Sequence, residues 1–321
     1  MSLGMAVGLD IGGSWSRAAL DSPDGKIIRS ITLPVDGSNN DSFLDHLSGL
    51  VEKLVGGQTH SIAGIGVGAA GRLDIHKGRI LFSPHLKLRD VDISSHLKNK
   101  FNKPIVLLND CVMAALAEKR IGAGVGHKNL VYVGIGTGIG GGIVVDGRVL
   151  LGKDGNAHEI GHMMIDMDGR LTCECGGKGH WEAYTSGSGI PKYSRLLAQT
   201  FGMETPLSSR LARANLGSKD IFEALGAGDP FAKHVLEECT RVNAMALANL
   251  TNLYDPEIIV IGGGVAMKNR KAIVAPLEAE VQKYAFNVPP KVSSTPLGEE
   301  SPLIGSVLSV FEQPLLEKQC P

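Results

Sequence analysis

The sequence has no surplus of charge of either sign, 32 Lys and Arg standing against 33 Asp and Glu. That balance leaves no electrostatic footprint for nucleic acid or for an acidic surface, and it directs attention to small soluble partners. It also lacks any run of about 18 apolar residues, and its N-terminus carries no basic segment followed by an apolar one, so neither a membrane span nor a secretory leader is expected. Cysteine is scarce and odd in number: Cys111, Cys173, Cys175, Cys239 and Cys320 are too few for a disulfide framework in 321 residues. The expectation is a cytoplasmic protein with no nucleic-acid or membrane partner.

Glycine is what the sequence has in excess. There are 42 in 321 residues, about twice the usual share, and they cluster in "DIGGS", "GIGTGIGGG", "CGGKG" and "IGGGV" rather than in a repeat. Clustered glycine points to backbone that approaches a ligand closely. The length suits two packed lobes, since single cores stop growing at about 250–300 residues. The opening reads as three strands, "MAVGLDIG", "SRAALDS" and "KIIRSITLPV". "NLVYVGIGTG", "GGIVVDG" and "RVLLG" repeat that layout. Between the copies a helix is expected at 41–55, then strands "SIAGIGVGAAG" and "PIVLLND" and a helix "CVMAALAEKRIG". Later, "DPFAKHVLEECTRVNAMALANLTNLYDP" sets Phe231, Val235, Val242, Leu247, Leu250 and Leu253 at helical spacing and ends at Pro256. The strand "EIIVIGGG" follows, with its glycines at the carboxyl end, where α/β folds bind ligands.

"GTGIGG" satisfies G-x-G-x-x-G, but "IVVDGRVLL" after it is β-branched and turn-bounded, so the helix that a dinucleotide site requires is missing. At Gly262 the pattern also fails, because its sixth position is Met267. A glycine hairpin between strands can instead present successive N–H groups to phosphate oxygens. "DIGGS" has the same form with Asp10 attached, an oxygen ligand suited to Mg²⁺. The competing reading makes both hairpins tight turns only. Asn109 and Asp110 stand where an apolar strand meets a helix; Asp110 is then either a helix N-cap or a carboxylate aimed at a ligand. The stretch from His158 to Tyr184, "HEIGHMMIDMDGRLTCECGGKGHWEAY", holds three histidines, two cysteines and three glutamates. Cys173 and Cys175 flank one residue, a spacing that turns two sulfurs toward one point and suits tetrahedral zinc.

"GLDIGGSWSRAAL", "VGIGTGIGGGIVVDG" and "IVIGGG" resemble the two phosphate loops and the adenosine loop of the actin-like sugar-kinase ATPases. With "HEIGH" and "CECGGKGHWEAY" the resemblance narrows to the ROK family (repressors, open reading frames, kinases), from Gly8 to about Gly305. It implies an α/β, two-lobed, actin-like (ribonuclease H-like) ATPase fold with the active site in the interlobe cleft. The lobes would be a small one, 1–110 plus 304–321, and a large one, 111–303, carrying a zinc-binding insertion and a dimer surface. The implied activity is ATP-dependent phosphorylation of a hexose, glucose first, at the 6-hydroxyl, by a homodimer or homotetramer using Mg²⁺ and Zn²⁺. Kinases of N-acetylmannosamine or N-acetylglucosamine are the alternative. A sugar-responsive ROK regulator would need a helix-turn-helix ahead of Asp10.

The resemblance also assigns roles. Asp110 would be the general base, with Gly71, Arg72, Asn109, Asp110, Glu159, His162 and Glu182 on the sugar. Asp10, Gly12, Gly13, Ser14, Gly136, Thr137, Gly138, Gly262, Gly263 and Gly264 would hold MgATP. Zinc would take His162, Cys173, Cys175 and, where the family commonly has a third cysteine, His180. Two readings of that departure stay open: His180 is the fourth ligand, or the fourth ligand is lost and His158 substitutes. His158, beside Glu159, otherwise faces sugar or solvent.

Overall fold

The computed structural model describes residues 4–57, 61–83, 86–213 and 215–317; Cys320 and the last four residues of the 304–321 segment lie outside them. The chain begins β1 (Met5–Ile11), β2 (Trp15–Asp21), β3 (Ile27–Pro34), α1 (Asn40–Val55) and β4 (Ile62–Ala69). It continues β5 (Arg72–Asp74), β6 (Arg79–Ser83), β7 (Leu88–Asp92), α2 (Ile93–Phe101), β8 (Ile105–Leu108) and α3 (Asp110–Ile121). Next are β9 (Leu130–Ile135), β10 (Ile139–Val145), β11 (Arg148–Val149), α4 (Glu182–Thr185), α5 (Gly189–Ala198), α6 (Pro206–Arg213) and α7 (Ser218–Gly226). The chain ends α8 (Pro230–Tyr254), β12 (Ile258–Gly262), α9 (Gly264–Lys268), α10 (Arg270–Ile273), α11 (Leu277–Val281), β13 (Lys291–Ser294) and α12 (Ser301–Glu317).

One strand pattern occurs twice. The orders β3-β2-β1-β4-β8 and β11-β10-β9-β12-β13 both place the third, second, first, fourth and fifth strands of a sheet side by side. The repeated hairpin seen in the sequence is the start of each copy. Two compact units result: Met1–Tyr132 with Gly142–His158 and Glu300–Pro321, and Val133–Gly141 with Glu159–Glu299.

In the first unit β1 pairs antiparallel with β2 and parallel with β4, and β4 pairs parallel with β8. The register matches Ile11 to Ala69 and Gly68 to Leu108, so these three strands finish at one edge. Below the sheet, α1 buries Phe43, Leu47, Leu50 and Leu54 against Leu9, Ile65 and Val67. The helix starts where the Asn39 side chain accepts the Ser42 N–H at 2.9 Å and stops at Gly56 in the left-handed region. On the other face α12 lies almost on the backbone. A Cβ at Gly66 would come 1.7 Å from the Ser306 carbonyl oxygen, and one at Gly305 would come 1.8 Å from that of Met113 in α3. Beyond Gly71, β5, β6 and β7 form a third, antiparallel sheet that the sequence reading did not anticipate.

In the second unit α8 follows the sequence reading at both ends. Asp229 caps it by accepting the Phe231 and Ala232 N–H groups at 2.9 and 3.1 Å, Pro230 opens it, and Asp255 closes it with φ 44° just before Pro256. Five of the six expected apolar positions are buried. Leu253, in the helix's last turn, is the exception at 68% exposed. β12 is buried throughout and pairs parallel with β13.

The close approach of α12 yields a stability prediction. Gly305→Ala drives a methyl into main chain and is expected to destabilise the protein by about 2–3 kcal/mol, the scale of overpacking. Gly49→Ala lies inside α1 with nothing within 4 Å of its Cβ position, and it is expected to stabilise by about 0.5–1 kcal/mol. Thermal melts of both variants beside the parent check the opposite signs.

Candidate active site and metal centre

At the carboxyl edge of the first unit's sheet, the register sets Arg17 of β2 opposite Asp10 of β1. Arg17 Nε donates to Asp10 Oδ2 at 2.9 Å. Asp10 is buried, and desolvation raises its pKa against the opposing pull of Arg17. A hard divalent cation would add to that pull, so the site fits Mg²⁺ chemically. The turn that follows is closed by the Gly12 N–H donating to the Trp15 carbonyl at 3.0 Å, with Gly13 and Ser14 exposed at its tip.

Gly71 leaves the same edge after β4 with φ 118°, and a Cβ there would come 2.5 Å from the Phe82 carbonyl oxygen. Arg72, exposed, is the first residue of β5. After β8 the cap of α3 is Asn109, whose Oδ1 accepts the Cys111 N–H at 2.8 Å. The alternative that made Asp110 the cap is thereby corrected. Asp110 is the first helical residue, and its Oδ1 shares the Cys111 N–H at 2.9 Å.

The second unit has two glycine loops at one strand end. Gly136 N–H donates to the Gly138 carbonyl at 2.9 Å, making residues 136–138 a tight turn between β9 and β10 with Thr137 exposed. Gly263, φ 86°, has no room for a Cβ, which would lie 2.5 Å from the carbonyl oxygen of Ile135 at the end of β9. The strand-end glycines 262–264 are thus packed beside the 136–138 turn, and α9 starts from Gly264.

One ligand atom from each of His162, Cys173, Cys175 and His180 lies within 4.8 Å of the others. Bridges pairing Met164 with His180 and Thr172 with Lys178 fold the segment back on itself. Gly177 leaves the space that the His180 ring fills: a Cβ there would come 2.2 Å from its Cε1. Cys173 Sγ is 3.7 Å from His162 Nδ1, and Cys175 Sγ is 3.3 Å from His180 Nδ1. Nitrogen and sulfur donors on one tetrahedral zinc lie about 3.6 Å apart, so the donor set and its spacing fit zinc. The far nitrogen of His162, Nε2, meets Glu159 Oε2 at 3.3 Å, the outer carboxylate that fixes a ligand's ring orientation.

That hydrogen bond to Glu159 raises the pKa of His162 to about 9, while desolvation, then the charge of His162, lowers that of His180. Burial pushes the Cys173 thiol up to about 12, with Glu182 contributing. His158 is 1% exposed and not part of the four-residue group, which removes the solvated role the sequence allowed it. Sequence reasoning missed the supports of the segment. Trp181 Nε1 donates to Asn243 Oδ1 of α8 at 2.8 Å, and Tyr184 OH and Arg170 both bond Asp166, Arg170 Nε at 3.0 Å. It also missed Arg17, which counting register across the first hairpin would have found.

The chain matches known proteins along nearly its whole length. The ROK family pattern matches residues 6–312. The chain belongs to the ROK family. It is 36% identical over 315 residues to a glucokinase of Aeropyrum pernix, covering 96% of this chain and 97% of that one. A ROK family glucokinase from Streptomyces griseus, solved with glucose and AMPPNP, superposes with TM-score 0.79 at 29% identity, covering 95% of this chain and 98% of that one. A ROK hexokinase of Thermus thermophilus reaches TM-score 0.81 at 28% identity, covering 98% and 99%. The expected α/β actin-like ATPase fold is the fold of this chain.

The protonation of the cluster sets how zinc binding depends on pH. From about pH 6.5 to about pH 8 the metal-free chain carries the His162 and Cys173 protons, and binding must release both. Apparent zinc affinity is therefore expected to rise about 100-fold or more per pH unit across that window. In the same chelator competition, His180→Ala is expected to lose more than the about 10–100-fold typical of removing an outer partner. If that variant keeps parental affinity, His180 is not a ligand.

Proposed function

We propose that this ROK protein is an ATP-dependent glucokinase that transfers the γ-phosphoryl group of ATP to the 6-hydroxyl of glucose. The observation that carries the reading is Asp110, set at the start of α3 on the sheet edge that also holds Asp10 and the Gly12–Ser14 turn. The relatives at 29–36% identity over 96% of the chain that are named glucokinases supply the sugar.

The parts divide the work as phosphoryl transfer requires. Asp110 takes the proton of the 6-hydroxyl as its oxygen bonds the γ-phosphorus and the bond to the β–γ bridging oxygen breaks, releasing ADP. Asn109, Gly71, Arg72, Glu159 and His162 bind and orient the sugar, and Glu182, whose Oε2 already accepts the Ile139 N–H, offers it only the remaining lone pairs of its carboxylate. A carboxylate suits vicinal hydroxyls because it accepts from both. Asp10 holds Mg²⁺ directly or through water. Gly12, Gly13, Ser14, Gly136, Thr137 and Gly138 receive the phosphates, and Gly262–Gly264 the adenosine. His162, Cys173, Cys175 and His180 hold zinc, which supplies a structural cross-link and no phosphoryl chemistry.

The reading extends to a cytoplasmic homodimer or homotetramer. Among the described residues no helix is long and apolar enough to cross a membrane. Met164 and Met167, 63% and 94% exposed, would give self-association an apolar face.

Asp110→Asn is expected to bind glucose and ATP as the parent does and to lose about 10²–10⁴-fold in kcat, because the amide can hydrogen-bond the hydroxyl but cannot take its proton. Near-parental turnover in a coupled ADP assay would place the base elsewhere. Across a panel of glucose, N-acetylmannosamine and N-acetylglucosamine, glucose is expected to give the highest kcat/KM. Arg72→Ala is expected to shift the ratio between plain and N-acetylated sugars, and an unchanged ratio assigns Arg72 to the surface.

A further inference from the structure

The segment after the last cluster ligand does not leave the neighbourhood of the 136–138 turn. Two residues beyond His180, the carboxylate of Glu182 accepts the Ile139 N–H through Oε2 at 2.7 Å. Its Oε1 lies 3.3 Å from the sulfur of Cys173. A Cβ on Gly138 would come 2.3 Å from Oε2, so the carboxylate fills the space that this glycine leaves open. Past α4 the main chain binds the same turn twice more. Gly187 N–H donates to the Gly136 carbonyl at 2.8 Å, and Ser188 N–H donates to that of Thr137 at 3.1 Å. Residues 182–188 thus hold the turn through the carbonyls of Gly136 and Thr137 and the N–H of Ile139.

We propose that the His162–Cys173–Cys175–His180 centre governs nucleotide binding as well as sugar binding, with Glu182 as the positioning residue that joins it to the phosphate turn. The inference rests on the reading of residues 136–138 as a phosphate loop. Fixing His180 fixes the chain entering α4, and the three hydrogen bonds carry that order to the turn. A turn already ordered has less entropy to lose when it receives phosphates, so metal and nucleotide each strengthen the other. The coupling is reciprocal by linkage: the factor by which zinc tightens nucleotide equals the factor by which nucleotide tightens zinc. Glu182 transmits through an oxygen that accepts a backbone N–H, so an amide side chain can replace it and a methyl cannot.

The test is AMPPNP binding with Mg²⁺, by titration calorimetry without sugar, to zinc-loaded and zinc-stripped parent, Glu182→Gln and Glu182→Ala. Zinc loading is expected to tighten AMPPNP about fivefold or more in the parent and in Glu182→Gln, and by less than about twofold in Glu182→Ala. Saturating AMPPNP is expected to tighten zinc by the same factor in a chelator competition. Hydrogen exchange at residues 136–139 is expected to quicken when zinc is removed from the parent, a readout independent of how any variant folds. Equal AMPPNP affinity and equal exchange in loaded and stripped parent overturn the coupling while leaving the kinase reading in place. A loaded parent that does not bind AMPPNP overturns the phosphate-loop reading and the inference with it. Loss of coupling in Glu182→Gln as well as in Glu182→Ala overturns the role given to the Ile139 hydrogen bond.

Discussion

The backbone groups at the carboxyl ends of parallel strands have no ladder partner beyond the last residue, and much of this structure disposes of that shortage. In the first unit β1, β4 and β8 finish in register, so the turns after them share one edge. The chain satisfies part of the demand itself. Asn109 takes the Cys111 N–H, and Gly12 donates back to Trp15. The same edge carries two carboxylates, Asp10 at the end of β1 and Asp110 at the start of α3.

Glycine serves a different purpose in each place. On the sheet faces it makes room: Gly66 and Gly305 let α12 rest against β4 and α3 at main-chain distance, and the helix could not seat with larger residues there. In the second unit Gly138 makes room for the Glu182 carboxylate and Gly177 for the His180 ring. The excess of glycine is therefore as much about packing elements onto one another as about ligands. Composition alone cannot separate these uses, because both demand only the absence of a Cβ.

The metal segment shows how a loop with little regular structure keeps a geometry. Its C-terminal end is held by buried aromatic anchors, Trp181 on Asn243 and Tyr184 on Asp166. Its middle is held by two isolated bridges. With histidine rather than a third cysteine at 180, the group carries one potential negative charge fewer beside Glu159 and Glu182. Two thiolates and two neutral imidazoles would leave a bound zinc ion formally balanced, so the nearby carboxylates would not add to an excess of negative charge.

The sequence by itself determined β1–β4, β8–β12, α1, α3 and α8, the doubled hairpin, the family, and which residue types gather in the 158–184 stretch. These follow from local spacing: hydrophobic period, capping residues such as Asp229, and cysteines one residue apart. It also contained the pairing of Asp10 with Arg17, which register counting alone would give. Only the tertiary structure decided that Asn109 rather than Asp110 caps α3, that β5, β6 and β7 form a sheet, that His158 is buried and not part of the four-residue metal group, and that Glu182 reaches Ile139. Each depends on groups far apart in the chain, or on which of two adjacent residues keeps the extended backbone of a cap. A one-dimensional pattern carries no distances with which to settle such contests.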